Sequence, residues 1–326
     1  MKAVVCKAWG PPESLVIEDR PPLVAAPGKV VVSVKAASVK FSDTLVIQNK
    51  YQTKPELPFI PGSEVTGVLK SIGAGVEGWQ VGDRVSAQTT YGGYAEEVSA
   101  EPGRLAAIPE SIDFAGATGL MSSYGTSYYA LTDRGQLRAG ETLMVLGAAG
   151  GVGLAAVEIG KALGARVIAC ASSAEKLAVC REHGADETIN YVSEDLRARV
   201  KAITKGNGVD VVYDPVGGPY SELALRDMAW GGRLLVIGFT AGDIPKIPLN
   251  LPLIKGCSIV GVWIGAFAKR DPARHRALAD EIWKWFAAGK IKPHISATYP
   301  LEQAADALNA LAGRRVAGKV VLTTQA

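Results

Sequence analysis

Four glycines lie close together in the segment LGAAGGVG, between a short apolar run and a helix-length apolar segment: Gly147, Gly150, Gly151 and Gly153. At this spacing, the first glycine permits a tight turn, the next let a diphosphate approach the backbone, and the last lets helix and strand pack closely. The helix N-terminus, beginning near Val152, would offer N–H groups and its positive dipole end to that diphosphate. The pattern predicts a dinucleotide-binding turn; the alternative is a glycine-rich turn without a ligand.

The residues about 20 positions after this loop indicate which dinucleotide suits it. An NAD site would place an acidic residue there, but this chain has Ser172, Ser173, Glu175 and Lys176. Two hydroxyls and a cation suit a 2′-phosphate, and Glu175 can point outward from the first turn of a helix. We therefore predict NADPH, against a simple N-cap at Ser173 with a solvated Lys176. Tyr191 either packs on the adenosine end or lies on the surface.

A catalytic zinc site would need thiolate and imidazole ligands. The chain has three histidines, His183, His275 and His294, and none lies beside a cysteine in the β-rich N-terminal region. We predict no metal, and a surface or capping role for each histidine. The cysteines form no C-x-x-C pair, which favours reduced thiols: Cys6, Cys170, Cys180 and Cys257. No G-x-S-x-G motif supports a hydrolase.

Strand-like and helix-like segments alternate around the glycine loop, from Thr142 to Val262, which predicts a parallel sheet with helices on its faces. The predicted strands are TLMVLG, RVIACA, ETIN, VDVVYD, GRLLVIG and SIVGV. The predicted helices are Val152–Leu163, Ala174–His183, Ser193–Ile203 and Tyr220–Met228. This is the doubly wound Rossmann arrangement, with the glycine loop after its first strand.

The segments on either side predict a second domain. From Val30 to Leu105, short β-rich runs separated by glycines are typical of antiparallel structure. A buried helix is predicted from Asp113, and the C-terminal part has helices at Ala277–Ala287 and Leu301–Leu311 before the strand GKVVLTT. We predict a β-rich domain of residues 1–121 and 264–326, with the Rossmann domain, 122–263, inserted into it.

Composition excludes several classes of function. The 326 residues are 48% hydrophobic and 21% charged, which is typical of a globular protein of about two domains. A net charge of +3 without a basic run gives no sign of nucleic-acid binding. The first residues are unlike a signal peptide and no apolar run reaches membrane-spanning length, so we expect a cytoplasmic protein with no membrane partner.

Several segments, spread from end to end, resemble the zinc-independent quinone oxidoreductases of the medium-chain dehydrogenase/reductase superfamily, the zeta-crystallin-like branch. The similar segments are KAWGPPESL, FSDT, PFIPGSEVTGVLKSIGAGVEGWQVGDRV, LGAAGGVG, GADETINY, YDPVGG and GKVVL. Zinc-dependent relatives have Gly-His-Glu where this chain has Gly62-Ser63-Glu64. The resemblance implies a GroES-like β domain carrying the inserted Rossmann domain.

The resemblance also implies a set of cofactor contacts. Ser172, Ser173 and Lys176 would hold the 2′-phosphate, Tyr191 would lie near the adenosine end, and Thr126 near the nicotinamide. The remaining implied contacts are the glycine loop with Val152, Phe41, Val216, Gly238, Phe239, Thr240, Val262, Trp263, Ile264 and Lys319.

Two residues bear on the reaction. Many members of the family have Asn where this chain has Lys40, whose charge either lies near the substrate or points to solvent. Tyr51 occupies the position where related enoyl reductases place a catalytic Tyr, so it either donates a proton or only lines the pocket. We predict reduction of quinones by NADPH. The alternatives are reduction of the C=C bond of enones or 2-alkenoyl thioesters, and non-enzymatic NADPH binding. A homodimer is expected, with SIVGV as an edge strand.

Overall fold

The computed structural model describes Met1 to Thr324, so Gln325 and Ala326, the end of the predicted first domain, lie outside the described residues. The strands are β1 (Lys2–Val5), β2 (Val16–Asp19), β3 (Val30–Val39), β4 (Glu64–Ile72), β5 (Arg84–Gln88), β6 (Glu97–Ala100), β7 (Leu105–Ala107), β8 (Thr142–Val145), β9 (Arg166–Ala171), β10 (Glu187–Asn190), β11 (Val209–Asp214), β12 (Met228–Val236), β13 (Ser258–Gly261), β14 (Ile295–Pro300) and β15 (Lys319–Thr323).

The α-helices alternate with the strands in the middle of the chain. They are α1 (Phe41–Val46), α2 (Phe114–Ala117), α3 (Thr126–Tyr128), α4 (Gly151–Ala162), α5 (Ala174–Glu182), α6 (Leu196–Ile203), α7 (Pro219–Arg226), α8 (Asn250–Lys255), α9 (Ile264–Arg270), α10 (Pro272–Ala287) and α11 (Ala304–Ala312). Among the described residues, no helix is long and apolar enough to cross a membrane.

The described residues form two compact units. The first, which we call the β unit, is Met1–Leu120 with the chain from Pro293; the second, the Rossmann unit, is Met121–Lys292. The second boundary lies after α10, whereas the sequence-based boundary preceded α9. α9 and α10 belong to the Rossmann unit because their rings pack within it: Phe267 stacks on Tyr129 at 4.3 Å, and Trp285 meets Tyr128 edge-on at 5.3 Å.

The sheet of the Rossmann unit has the strand order β10-β9-β8-β11-β12-β13, with every pair parallel. Its inner strands are almost continuously apolar because both faces are covered, and Leu143, Met144 and Val145 of β8 are fully buried. The order reverses between β8 and β11, which leaves a crevice at their carboxyl ends. The expected α/β fold is therefore confirmed.

The β unit contains a sheet with the strand order β14-β15-β3-β4-β5-β7, and β6 also pairs with β3. β3, β4 and β5 are neighbours in antiparallel register, with Ala37 opposite Val65 and Glu64 opposite Gln88. The carboxyl end of β3, the amino end of β4 and the carboxyl end of β5 therefore share one edge of the sheet.

The helix predicted from Asp113 is interrupted in the structure. The side chain of Asp113 caps α2, but α2 ends at Ala117, and helical conformation resumes only at Met121 and runs to Arg134. Gly119 lies between them with φ +75°, in the left-handed region that ends helices. The predicted helix at Ala277–Ala287 also begins earlier, at Pro272, where the Asp271 side chain caps it.

Candidate active site

The glycine loop connects β8 to α4 at the crevice of the Rossmann unit. Gly147 has φ +58°. A Cβ on Gly153 would lie 2.3 Å from the carbonyl oxygen of Gly147, so α4 packs too closely on the loop for any side chain. A Cβ on Gly150 would meet nothing nearer than 3.4 Å, so the space beside Gly150 is open.

The N-terminus of α4 is suited to a diphosphate because no side chain caps it. Gly150 is its N-cap residue and supplies no side-chain acceptor to the N–H groups of the first turn, which begins Gly151, Val152, Gly153. By contrast, α5 and α6 are capped by the side chains of Ser173 and Asp195. The first turn of α4 therefore offers its N–H groups and dipole to an anion.

The residues predicted for the 2′-phosphate gather at the carboxyl end of β9. Lys176 Nζ donates a hydrogen bond to Ser172 Oγ at 3.4 Å, and Ser173 Oγ accepts one from the Lys176 N–H at 3.4 Å. The Ser173 hydroxyl also lowers the pKa of the exposed Glu175 by hydrogen bonding to it. Tyr191 follows β10, and its N–H donates to Ala171 at the end of β9, at 3.2 Å. Ser173 thus acts as an N-cap while it flanks Lys176.

The loop after β11 is organised by Asp214, whose role the sequence reasoning missed. This buried carboxylate accepts from the N–H groups of Val216 and Gly217, both at 2.9 Å, and from Ser221 Oγ at 2.5 Å. The Val216 side chain lies over Gly147, since it would be 2.8 Å from a Cβ there. The sequence pattern that could have revealed this role is an Asp directly after a strand and before Pro-Val-Gly-Gly, because that pattern is typical of an Asx turn.

The other predicted cofactor segments follow the neighbouring strands β12 and β13. In the segment Gly238–Thr240, the Thr240 N–H donates to the Pro215 carbonyl at 3.0 Å, and the Phe239 ring packs beside Gly217. The Val262 N–H donates to Val236 at 3.1 Å, which brings Val262–Ile264 to the same edge. Trp263 is largely exposed, whereas Ile264 packs against Gly125.

The helical segment from Met121 to Arg134 is tied to the first turn of α4. The Ser127 hydroxyl donates to the Val152 carbonyl at 2.8 Å and shares a 2.8 Å hydrogen bond with the Tyr213 hydroxyl. Thr126 precedes Ser127, and its hydroxyl donates to the Ser122 carbonyl at 2.7 Å. Ser127 and Tyr213 were not predicted, because neither belongs to a recognisable motif.

In the β unit, polar side chains gather where β3, β4 and β5 share an edge. Lys40 follows β3, and its ammonium donates a hydrogen bond to the hydroxyl of Ser63, which precedes β4. The Lys40 side chain is thus bound within the protein rather than directed to solvent alone. The Thr89 N–H, after β5, donates to the Ser63 carbonyl at 2.9 Å. We call Lys40, Ser63 and Thr89, with Tyr51 and Tyr91, the strand-edge site.

A buried carboxylate supports the strand-edge site. Asp43 Oδ2, in the first turn of α1, accepts from the Lys40 N–H at 2.9 Å and from the Tyr94 hydroxyl at 2.8 Å. Burial raises the pKa of Asp43, and the Lys40 charge opposes that rise. Burial, and then the negative charge of Asp43, raise the pKa of Tyr51. Tyr51 is therefore a protonated phenol at neutral pH.

Two more residues of the β unit were predicted to contact the cofactor. Phe41 begins α1, and its carbonyl accepts from the Thr44 hydroxyl at 2.6 Å. Lys319 is buried, and its ammonium donates to the carbonyl oxygens of Thr118 and Gly116. Burial lowers the pKa of Lys319 to about 8. Its ammonium is therefore directed at main-chain carbonyls of its own unit.

The donor atoms for a metal site are dispersed. In Met1 to Thr324, no three His, Cys, Asp or Glu side chains are grouped so that they could hold a metal ion. His183 ends α5, and its Nδ1 lies 2.5 Å from Glu158 Oε1. The side chains of the strand-edge site supply an ammonium and hydroxyls.

Comparison with known proteins agrees with a β-rich unit and a Rossmann unit in one chain. Residues 26–131 match the family model described as alcohol dehydrogenase GroES-like domain, and residues 151–283 match the one described as zinc-binding dehydrogenase. A quinone oxidoreductase-like protein 2 homolog of Nematostella vectensis is 39% identical over 99% of this chain and 89% of its own length. A quinone oxidoreductase of Pseudomonas aeruginosa is 37% identical over 98% of this chain and 99% of its own.

One of the similar solved structures contains a bound cofactor. The Escherichia coli quinone oxidoreductase complexed with NADPH superimposes with a TM-score of 0.92 at 29% identity, over 99% of this chain and all of the other. The predictions of the family and of NADPH are confirmed. This chain belongs to the quinone oxidoreductase family of the medium-chain dehydrogenase/reductase superfamily, and it is an NADPH-binding oxidoreductase.

Proposed function

We propose that this oxidoreductase transfers hydride from NADPH to quinones, without a catalytic zinc. The observation that carries the proposal is the composition of the strand-edge site, where Lys40 and Ser63 offer N–H and O–H donors and no thiolate or imidazole. Such donors suit the carbonyl oxygens of a quinone, whereas a catalytic zinc requires three protein ligands. The names of the relatives support the same substrate class.

NADPH supplies the hydride when it is bound, and the protein supplies position and electrostatics. The uncapped first turn of α4 would hold the diphosphate, and Ser172, Ser173 and Lys176 would hold the 2′-phosphate. Val216 and the segments Gly238–Thr240 and Val262–Ile264 would line the ribose and nicotinamide end, because they follow β11, β12 and β13 at the edge that carries the glycine loop.

A specific observation favours a second candidate, reduction of the C=C bond of enones or 2-alkenoyl thioesters. That reaction needs a proton at carbon, and Tyr51 is a half-buried phenol of the strand-edge site that is protonated at neutral pH. Tyr51→Phe separates the two candidates. Loss of enone reduction with quinone reduction intact would support the second.

The deciding experiment follows NADPH absorbance in the presence of a quinone, an enone, a 2-alkenoyl thioester, or a primary alcohol with NADP⁺, each with and without a chelator. Rapid oxidation of NADPH by the quinone alone, unaffected by chelator, is the expected result. Preference for the enone or thioester would favour the second candidate, and chelator-sensitive alcohol oxidation would contradict zinc independence. Tight NADPH binding without turnover of any acceptor would indicate a non-enzymatic role.

We also propose that the chain is a homodimer that pairs through β13. β13 is the last strand of the Rossmann sheet, and its outer edge has no partner strand among the described residues. Ile259 in this strand is 40% exposed, and the neighbouring Leu253 and Trp263 are 77% and 64% exposed. An apolar edge strand of this kind is suited to pairing with a second copy.

A further inference from the structure

The strand-edge site contains a cation that is held by a hydroxyl rather than by an acid. Lys40 Nζ donates to Ser63 Oγ, and within Met1 to Thr324 no carboxylate lies within ion-pair distance of it. The nearby carboxylate of Asp43 receives the backbone N–H of Lys40, together with the Tyr94 hydroxyl. The ammonium has three N–H donors, so hydrogen-bonding capacity remains after the bond to Ser63.

Two hydroxyls at the same site are shielded from solvent and have no hydrogen-bond partner among the described residues: Thr89 Oγ1 and the Tyr91 hydroxyl oxygen. Since Glu64 is opposite Gln88, Ser63 and Thr89 are opposite each other and their side chains lie on the same face of the sheet. Burial, and then the nearby phenol of Tyr51, raise the pKa of Tyr91.

Leaving a buried hydroxyl without a partner is energetically unfavourable, and such groups are rare in folded proteins. Both hydroxyls belong to the strand edge that also carries the Lys40 ammonium, and they are accounted for if an oxygen atom of a ligand completes their hydrogen bonds. The ligand must be an acceptor, because Lys40 can only donate. A carbonyl oxygen that gains negative charge during reaction meets this requirement.

We propose that Lys40 is a catalytic residue that binds the carbonyl oxygen of the acceptor and gives it the one proton that the reduction requires besides the hydride. This assignment rests on the proposed function, and it deepens it by naming the group that stabilises the developing oxyanion. Ser63 is a positioning residue that holds the Lys40 ammonium, and Thr89 and Tyr91 add hydroxyl donors to the same oxygen.

The step balances with NADPH as the only reductant. Hydride brings two electrons and one hydrogen to the quinone, which leaves one ring oxygen as a phenolate. The N–H bond of Lys40 breaks and an O–H bond forms on that oxygen, so hydroquinone is released, and the neutral amine takes a proton from water. NADPH is oxidised to NADP⁺ and the quinone is reduced.

The test compares Lys40→Met, Lys40→Arg and, as a matched control, Lys29→Met. Lys29 immediately precedes β3, whereas Lys40 follows it, and the Lys29 side chain forms an exposed ion pair with Glu101. We expect Lys40→Met to lower kcat for a quinone about 100-fold with unchanged NADPH affinity. Lys40→Arg should recover part of the loss, and Lys29→Met should stay within about twofold of the parent.

Binding of para-nitrophenol gives a readout that needs no turnover, because its phenolate absorbs at longer wavelength than its phenol. At a fixed pH just below its own pKa, the parent protein should increase the phenolate band, and Lys40→Met should not. Equal quinone kcat and equal spectra for parent and Lys40→Met would overturn the assignment. If the parent reduced no quinone, the proposed function would fail, and the nitrophenol spectrum would still decide whether Lys40 binds an oxyanion.

Discussion

The hydroxyl of Ser127 donates to the carbonyl of Val152 at 2.8 Å, which joins the helical segment beginning at Met121 to the first turn of α4. The same hydroxyl shares a hydrogen bond with the fully buried Tyr213, in β11. One small side chain therefore connects the proposed diphosphate-binding turn with the sheet beneath it.

Replacement of Ser127 by Ala should lower the free energy of unfolding by about 1–3 kcal/mol, because it leaves the buried Tyr213 hydroxyl without a partner. Denaturant unfolding measures this loss. Tyr213→Phe removes the other partner, and the double variant should lose less than the sum of the single changes. Strict additivity would mean that the two hydroxyls do not interact.

Gly150 and Gly153 should respond differently to alanine. Gly153→Ala should destabilise the protein and abolish NADPH binding, because its Cβ would collide with the Gly147 carbonyl. Gly150→Ala has room in the free protein, so it should fold normally while weakening NADPH at least tenfold by filling the proposed diphosphate space. Thermal unfolding and fluorescence titration with NADPH measure the two effects. Normal NADPH affinity in Gly150→Ala would place the diphosphate elsewhere.

Lys176 should determine the preference for NADPH over NADH. Lys176→Met should raise the Kd for NADPH about 10- to 100-fold and leave that for NADH nearly unchanged, because only NADPH carries the 2′-phosphate. Titrations of both cofactors measure the ratio. Lys201→Met, an exposed change on α6, serves as the control. Parallel losses for both cofactors would show that Lys176 does not contact the 2′-phosphate.

Lys319 should make the free energy of unfolding depend on pH in the alkaline range. Its pKa is about 8 in the folded protein, against an ordinary value of 10.5, so the unfolded chain holds the proton more tightly. Between these values the unfolded state binds more protons, and the free energy of unfolding therefore rises with pH, by up to about 3 kcal/mol. Denaturant unfolding at several pH values should show this rise in the parent and not in Lys319→Met. The same slope in both proteins would contradict the assignment.

Charge on the free edge of β13 should prevent the proposed dimer from forming. Ile259→Lys places an ammonium on the exposed edge strand, where it would be buried by strand pairing. Light scattering after gel filtration should give a dimer for the parent and a monomer for the variant. Val24→Lys, at a more exposed apolar position in the β unit, should leave the mass unchanged. A monomeric parent would refute the proposal.

The sequence alone was enough to predict the Rossmann fold around the glycine loop. Glycine spacing and the alternation of strands with helices are local signals, so they place the turn at Gly147 and the helix beginning at Ala174 without knowledge of the tertiary structure. The boundary of the Rossmann unit after α10 could not be predicted from such local signals. It depends on rings such as Phe267 and Tyr129, which are far apart in the chain and meet only when the helices pack.

Only the tertiary structure decided what the strand-edge site contains. Lys40, Ser63 and Thr89 belong to three separate segments, and no periodicity relates them. They meet because β3, β4 and β5 pair antiparallel, which brings the carboxyl ends of β3 and β5 and the amino end of β4 to one edge of the sheet. From the sequence, Lys40 could point to solvent or to a substrate, and the hydroxyl of Ser63 decides where its charge is held.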